Sequence, residues 1–476
     1  MWGVGMSFLD LSYIFYVFPI AVIVAVLISY VKNSKIRKII ITILSFSILF
    51  FYSRDLLLLF ITFILGSYLL GHLVFATKNS QTISKKWMTI SVSIFVLILA
   101  YIKYVPALLK WWNHFNVFTI GYKKFAVLSG ISFIIFEAIS YIVDIYRGDA
   151  KPGSLVDYLL FISFFPKLIS GPIVKWKDFQ PQIVDRKIGV DCVSSGLTKV
   201  IIGYSKKLII ADTLGAHIGY IQSMTSKGAD ALTYWLIALL YFFEIYYDFS
   251  GYSDIAIGFS EMLGISIRPN FDHPYASLSI TEFWRRWHVS LGDWFKEYVY
   301  IPLGGNRTGN VYVNLFIVFL LTGIWHGANL TFLIWGVAHG LVIVGERAIR
   351  NKNWYKRVPS LVKWLCTTFF VFMAWIPFMS PNLKETGLFY KRMFVFSSKQ
   401  VNFTWRFFLT RKILIILVIA AVLAILGRFK WSEKISKHMQ KTYFVWIKYV
   451  FLIGLLVLSI LFIVNASYSP FIYMQF

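Results

Sequence analysis

Apolar segments recur along the whole chain and are separated mostly by short polar stretches. Examples cover residues 11–31, 87–108, 125–143, 234–246, 328–344, 361–379, 413–426 and 444–464. A helix needs roughly 20 residues to cross the hydrocarbon core of a bilayer, so several of these segments are long enough to span it. We expect the shorter ones to be tilted, re-entrant or buried among other helices. The pattern predicts an all-α, polytopic integral membrane protein.

The middle of the chain departs from this alternation. Between residues 151 and 340, prolines and Gly-Pro or Gly-Gly pairs interrupt the apolar sequence, and polar residues lie in apolar surroundings. Broken helices are tolerated at membrane depth only where the freed backbone is buried in protein or faces a water-filled cavity. We therefore expect one integral domain over residues 1–476, in which scaffold helices at 1–150 and 341–476 flank a cavity-lining core at 151–340.

Composition supports the membrane interpretation and explains the positive charge. Charged residues make up 14% of the chain, whereas a soluble protein carries about 25%. The net charge of +25 is concentrated in short loops, and such basic loops stay on the cytoplasmic side. Placing the basic clusters at 32–38, 347–357 and 428–441 in the cytoplasm puts both termini and the loop 382–410 outside. Explained in this way, the charge gives no reason to expect a nucleic-acid partner.

The first segment with candidate chemistry is SITEFWRRWHVSLGDWFKEYVYIP, at residues 279–302. Ser279 followed by Glu282 fits the S-x-x-E capping box, which predicts a helix from there towards Tyr298. At helical spacing its apolar face carries Trp284, His288, Leu291 and Phe295.

Burial of the His288 imidazole costs free energy unless the ring gains a hydrogen-bonding partner. The residue is therefore either a core histidine bonded to a backbone carbonyl, on a helix that can also lie in the membrane interface, or it faces a reaction chamber. In the second case the basic neighbours are candidates for contact with a phosphate-bearing donor or a carboxylate. The candidates around it are Arg285, Arg286 and Trp287, with Lys296 added by charge alone.

The second segment is GIWHGANLTFLIWGVAHG, at residues 323–340. It contains two G-x-x-x-G motifs, a spacing that lets helices approach closely. His326 and His339 lie inside them, and an ionisable residue within a membrane predicts a functional site. The 13 residues between them turn about 220° around a helix, so at most one is expected to do chemistry. Asn329 and Trp325 are candidates to orient a ring or bind a carbonyl oxygen.

Two further segments hold polar residues in apolar surroundings. In YFFEIYYDFSGYSDIAIGFSEMLG the carboxylates are Glu244, Asp248 and Asp254. We expect them to pair with the arginines of the 279–302 helix. Asp248 and Asp254 are also candidates for binding a ligand. The segment FFPKLISGPIVKW, at 164–176, joins two helix breakers and predicts a bent or re-entrant stretch.

Other chemistries have little support in the sequence. There is no phosphate-binding loop, dinucleotide fingerprint or H-E-x-x-H motif, and no G-x-S-x-G elbow. The two cysteines and the spacing of the histidines predict neither a disulfide framework nor a metal site. Acyl transfer requires less, because a base that deprotonates an acceptor hydroxyl and a donor for the developing oxyanion are sufficient.

At these residues the chain strongly resembles the membrane-bound O-acyltransferase family, in its bacterial branch that acetylates polysaccharides. The resemblance covers about residues 160–340, and the flanking segments fit the family's layout. Four motifs carry it in order, namely FFPKLISGPIVKWKDFQPQI, YYDFSGYSDIAIGFSEMLGI, RPNFDHPYASLSITEFWRRWHVSLGDWFKEYVYIPLGGNR and TGIWHGANLTFLIWGVAHG.

The resemblance implies a ring of about 10–12 transmembrane helices, with re-entrant or interfacial helices, around a central funnel in the bacterial cytoplasmic membrane. It places the family's invariant histidine at His326, as general base, and a second characteristic position at His288, which assists or positions substrate. It further implies acetyl-CoA as donor with no bound cofactor, and a polysaccharide as acceptor. A separate extracytoplasmic partner with an SGNH, esterase-like fold is also implied.

Three alternatives stay open from the sequence. The related branch that transfers D-alanyl groups to teichoic acids matches less well, because YDFSGYSD and YIPLGGNR are typical of the acetylating branch. A transporter would also contain interrupted helices and buried ionisable groups, although no inverted repeat is visible. A non-catalytic scaffold would leave both histidines dispensable.

Overall fold

The computed structural model describes residues 13–114, 130–168, 170–185, 189–225, 228–396, 401–426 and 442–465. In chain order the α-helices are α1 (Phe18–Ser29), α2 (Ser34–Ser53), α3 (Leu57–Ala76), α4 (Gln81–His114), α5 (Ile131–Arg147), α6 (Leu155–Ser163), α7 (Trp176–Asp185), α8 (Val190–Tyr204), α9 (Asp212–Thr225), α10 (Ala231–Met262), α11 (Ile280–Arg286), α12 (Val289–Phe295), α13 (Val311–His326), α14 (Leu330–Ile349), α15 (Asn353–Arg357), α16 (Ser360–Met379), α17 (Leu383–Phe394), α18 (Trp405–Phe408), α19 (Arg411–Leu426) and α20 (Thr442–Asn465). Single turns of π-helix lie at Tyr13–Val17, Ser205–Ala211 and Lys296–Tyr300.

The described part of the chain contains five helices that are long and apolar enough to cross a membrane. They cover Arg54–Ala76, Gln81–Asn113, Leu330–Ile349, Ser360–Met379 and Val445–Val464. Two shorter apolar helices cover Tyr13–Ser29 and Val311–His326. The predicted fold class, an all-α polytopic membrane protein, is confirmed. The ring of about 10–12 helices around a funnel stays a prediction.

The apolar runs agree with most helices but not with all their limits. α3 is a further spanning helix outside the runs named above, and α2 joins it through one 3-10 turn at Arg54–Leu56. The predicted external loop at 382–410 contains α17 and the short α18. Residues 125–129 of one predicted run, and the basic cluster at 428–441, lie outside the described residues.

Two compact units divide the chain, and the described residues of the first lie within 13–200 and 252–269. Within it α3, α4 and α5 pack against one another. Gly71 makes this possible, because a Cβ there would lie 2.1 Å from a ring carbon of Tyr141. The predicted bend at 164–176 is found between α6 and α7, and Lys167 within it forms a buried ion pair with Glu137.

The described residues of the second unit lie within 201–251 and 270–465, and α10 supplies residues to both units. The main feature of this unit is the antiparallel hairpin of α13 and α14, which the three residues 327–329 connect. Gly323 and Gly336 face each other across it, with a Cβ on Gly323 falling 2.5 Å from the Phe332 carbonyl oxygen and one on Gly336 falling 2.6 Å from that of Phe319. The close approach predicted from the G-x-x-x-G motifs is confirmed at these two glycines.

Replacing Gly336 by leucine is expected to destabilise the protein, because the new side chain collides with the backbone of α13. Overpacking of this kind costs about 1–3 kcal/mol, to be measured as a lower midpoint of thermal unfolding in detergent. Gly345→Leu is the matched control on the same helix, since a Cβ there meets no heavy atom within 4 Å. Equal effects of the two substitutions would show that the glycine contact does not matter.

Candidate active site

His326 is the last residue of α13 and lies under a cover of aromatic rings. Only 3% of its surface is exposed. The ring centroids of Trp335 and Phe378 lie 5.2 and 5.1 Å from that of the imidazole, both nearly perpendicular to it, and Trp325 lies 4.9 Å away. Edge-to-face contacts of this kind fix the orientation of a ring. The hairpin and Phe378 of α16 together therefore hold His326 in one orientation within a shell of aromatic rings.

His339 is equally buried but has a defined structural partner. Its Nδ1 accepts a hydrogen bond of 3.1 Å from Trp284 Nε1, and because an indole nitrogen only donates, the proton of the neutral ring is on Nε2. The assumption that His326 and His339 lie on one helix is wrong, since the chain leaves the helix at Gly327. Both rings contact Trp335, with centroids 5.2 and 4.8 Å from it.

A chain of three tryptophans connects His326 to the segment that carries His288. Trp335 stacks on Trp375 with 6.0 Å between ring centroids, and Trp375 lies 4.9 Å from Trp287. Trp287 directly precedes His288 in the sequence. The structure thus brings the two histidine segments into one buried aromatic cluster, in which Trp335 and Trp375 had no role assigned from the sequence.

The helix predicted from Ser279 towards Tyr298 is interrupted at His288. Ser279 does cap its start, accepting a 3.0 Å hydrogen bond from the Glu282 backbone N–H, but α11 ends at Arg286 and α12 begins at Val289. His288 has φ 46° and ψ 52°, a left-handed conformation that costs free energy for most residues and is less rare for histidine. The prediction that Trp284, His288, Leu291 and Phe295 share one helical face is therefore wrong.

Asn270 holds the turn at His288 in place. Its Oδ1 accepts hydrogen bonds of 3.0 Å from the backbone N–H and the hydroxyl of Ser290, and lies 3.3 Å from His288 Nδ1. An amide oxygen only accepts, so Nδ1 of His288 carries the proton in this contact. Phe249 packs edge-on against the same imidazole at 4.6 Å. Sequence reasoning missed Asn270, although the motif RPNFDHP contains it, because a loop residue has no periodicity.

The basic candidates near His288 differ in whether they already form hydrogen bonds with carboxylates of the protein. Arg286 donates to Asp272 at 3.1 Å and to Glu282 at 3.1 Å, so its guanidinium holds the turn together. Arg285 and Lys296 are exposed at the protein surface. Of these cations, Arg285 and Lys296 are the ones accessible to an anionic ligand.

The expected pairing of carboxylates with the arginines of the 279–302 segment is wrong. Asp248 instead lies 2.5 Å from Lys207 Nζ, and Asp212 lies 2.6 Å from the same atom. Glu244 lies one helical turn before Asp248 and packs against α9 at Gly215. The lysine sits in the π-helical turn between α8 and α9, a position that no sequence pattern connected with α10.

The remaining candidates from the sequence have mainly structural contacts. Asn329 caps α14 by accepting a 3.1 Å hydrogen bond from the Thr331 backbone N–H, and its amide donates to the Pro381 carbonyl. Both ends of that side chain are therefore bonded to backbone groups. Asp254 lies half-buried on α10 in the first unit, whereas Asp248 belongs to the second.

Comparison with known proteins gives the chain a family context. Residues 87–384 match the model of MBOAT, the membrane-bound O-acyltransferase family. The matched region contains the α13–α14 hairpin, the turn at His288 and the ion pairs of Lys207 with Asp212 and Asp248.

Individual relatives extend the similarity over nearly the whole chain. A probable alginate O-acetylase AlgI of Pseudomonas putida is 37% identical over 94% of this chain and 96% of its own length. A peptidoglycan O-acetyltransferase of Helicobacter pylori is 32% identical over 75% of this chain and 73% of its own length. A teichoic acid D-alanyltransferase of Streptococcus thermophilus is 29% identical over 47% of this chain and 58% of its own length.

Proposed function

Because this chain belongs to the membrane-bound O-acyltransferase family and is an acyltransferase, we propose that it acetylates an extracytoplasmic polysaccharide. The acetyl group would come from cytoplasmic acetyl-CoA and cross the bacterial cytoplasmic membrane through the protein. The names of the relatives support this, since those that share three quarters or more of this chain are an alginate O-acetylase and a peptidoglycan O-acetyltransferase. The polymer is an exopolysaccharide, an alginate-like chain or peptidoglycan.

The observation that carries the proposal is the position of His326, buried at the end of α13 inside the matched region. In the proposed reaction its neutral imidazole takes the proton of the acceptor hydroxyl as that oxygen attacks the acetyl carbonyl carbon. The carbon–sulfur bond of the thioester then breaks, and the departing thiolate takes up a proton. General base catalysis of this kind contributes about 10²–10⁴ in rate.

His288 is proposed as the residue that positions the substrate beside this base. Asn270 and Phe249 hold its ring in one orientation, and the turn that carries it is fixed by the three contacts to Asn270 Oδ1. Left-handed backbone at a non-glycine residue is found mainly where surrounding contacts impose it, and such positions cluster at functional sites. Trp287 and Trp325 would line the space between the two imidazoles.

Replacing His288 by glycine is expected to lower acetyl transfer by about ten- to a hundredfold, with the fold retained. Glycine adopts the left-handed conformation without strain, so this substitution removes the imidazole without adding backbone strain. Initial rates in detergent, with thermal unfolding as the folding check, measure the effect. An unchanged rate of acetyl transfer would show that the His288 side chain contributes only to packing.

We infer the finer features of the proposed pathway from the family assignment and the charges. Arg285 is the first candidate for the donor's phosphates, because it is exposed and basic, whereas Arg286 is already paired. Asp248 is better explained as the partner of Lys207 than as a ligand group. We propose further that both termini face the extracytoplasmic side, that residues 151–340 form the core of one integral domain, and that a separate SGNH, esterase-like protein receives the acetyl group.

Transfer of D-alanine to teichoic acid is the second candidate. The relative with that name shares less than half of this chain with it, at lower identity than the acetylating ones. We therefore favour acetyl transfer over D-alanyl transfer.

Proteoliposomes test the proposed function directly. Purified protein would be incubated with labelled acetyl-CoA on one side of the membrane and alginate or peptidoglycan fragments on the other, with and without an added esterase-like partner. We expect label on the acceptor or the partner, and none from a D-alanyl carrier. Passage of intact labelled acetyl-CoA without transfer would identify a transporter. If neither transfer nor passage were detected, the protein would be a non-catalytic scaffold.

A further inference from the structure

The segment 281–306 leaves one end of α14 and returns to the same end. Its first residue, Thr281, contacts Glu346 in the last turn of α14, and its last residue, Asn306, contacts the adjacent Arg347. The two ends of the segment are therefore fastened to neighbouring residues of one helix. The turn between α11 and α12 lies within this segment, and α14 is one helix of the hairpin that holds the proposed general base.

Glu346 provides the hydrogen-bond acceptor for the start of α11. Its Oε2 accepts from the backbone N–H of Thr281 at 2.9 Å and from the hydroxyl of the same residue at 3.0 Å. The first N–H groups of a helix have no partner inside it, and Ser279 accepts from that of Glu282. A carboxylate in the last turn of α14 is disfavoured by the dipole of that helix. The position of Glu346 is therefore explained by α11 and not by α14.

The returning end of the segment is held by side chains from both helices of the hairpin. From α14, Arg347 Nη2 donates to Asn306 Oδ1 at 3.1 Å, and Tyr300 Oη donates to the same oxygen at 2.8 Å. From α13, the buried Asn314 donates through Nδ2 to the Gly305 carbonyl at 3.2 Å. The end of the segment is thus fixed to the hairpin just before α13 begins.

Between its two ends the segment runs back along α14. Trp284 follows Thr281 by three residues, and its hydrogen-bond partner His339 precedes Glu346 by seven. α11 and α14 therefore run in opposite directions, and α11 leads from the end of α14 towards His288. A shift of α11 along α14 would move that imidazole, and a misplacement of about 1 Å in a site can cost about 10² in rate.

We propose that Glu346 is a positioning residue for acetyl transfer, which acts through α11 to hold His288 at a fixed distance from His326. Arg347 secures the returning end of the same segment. The effect of Glu346 on the rate rests on the proposed function, whereas its contact with the start of the 281–306 segment does not.

Replacement of Glu346 by alanine and by glutamine tests this role. The alanine variant should transfer acetyl about ten- to a hundredfold more slowly than the unmodified protein at saturating acetyl-CoA, per amount of folded protein. The glutamine variant should keep most of the rate, because its amide oxygen accepts the same two hydrogen bonds. Glu385→Ala, which removes an exposed carboxylate on α17, should not change the rate. Equal rates of the Glu346→Ala and Glu346→Gln variants would overturn the proposal.

Hydrogen–deuterium exchange of the full-length protein in detergent tests the contact without acetyl transfer. Glu346→Ala should raise exchange of the backbone N–H groups at 281–288 about three- to tenfold, the fold-change of one hydrogen bond, and leave residues 311–345 unchanged. Arg350→Met, an exposed residue near the end of the same helix, is the control and should not change exchange at 281–288.

The two experiments separate this proposal from the proposed function. Unchanged exchange at 281–288 in Glu346→Ala would refute the positioning role. Raised exchange there, with no acetyl transfer by the unmodified protein, would overturn the proposed function and leave the contact of Glu346 with α11 standing.

Discussion

Replacing His326 by glutamine is expected to lower the rate of acetyl transfer by a factor of about 10²–10⁴, the usual contribution of a general base. Glutamine keeps a polar side chain of similar length but has no nitrogen that accepts a proton near neutral pH. The aromatic cover of Trp335 and Phe378 can still close over it, so the fold should persist. Initial rates in proteoliposomes, with the thermal unfolding midpoint in detergent, measure both quantities.

His339→Gln is the matched control for this experiment. His339 is as deeply buried as His326, contacts the same Trp335 and lies in the same hairpin. Its substitution weakens the hydrogen bond from Trp284 and should lower stability, while the catalytic rate of the folded fraction stays within a fewfold of the wild type. If the two variants lost activity in parallel with stability, His326 would be a packing residue.

Replacing Lys207 by methionine is expected to destabilise the protein by about 3–5 kcal/mol, the cost of breaking a buried ion pair from one side. The Lys207 side chain is 1% exposed, and its ammonium lies between the carboxylates of Asp212 and Asp248. Without this ammonium, the carboxylates of Asp212 and Asp248 lack the positive charge that they share. A lower unfolding midpoint and a lower yield of folded protein in detergent are the measurements.

Two comparisons separate the buried charge from other causes. Lys199→Met breaks the ion pair with Glu261, but that lysine side chain is 44% exposed, and exposed pairs contribute about 0–1 kcal/mol. Adding Asp248→Asn to Lys207→Met removes one uncompensated charge and should recover part of the lost stability. If Lys207→Met cost no more than Lys199→Met, the ion pairs of Lys207 would not stabilise the fold.

How far the sequence predicts this molecule depends on the kind of feature. The spanning helices and the α13–α14 contact follow from local patterns, namely apolar length and glycine spacing, and the structure agrees with both. The break at His288 does not, because its helical pattern continues on both sides, and the turn is held by bonds to Asn270, 18 residues earlier, and by the contact of Arg286 with Asp272.

The candidate site shows the same division between local and long-range information. His326 and His288 stand out because titratable side chains are rare in apolar surroundings. The partner of Asp248 could not be predicted, because Lys207 precedes it by 41 residues and no spacing rule joins them. Trp335 and Trp375 gain their roles only through contacts between helices.

The glycine contact between α13 and α14 determines which part of the structure can move to admit a substrate. Backbone touches backbone at Gly323 and Gly336, so no rotation of a side chain can loosen this contact, and we expect the two helices to move together. Among the rings that cover His326, Phe378 belongs to α16 and not to the hairpin. We therefore expect a path to the imidazole to open by displacement of Phe378 and α16, and not by separation of α13 from α14.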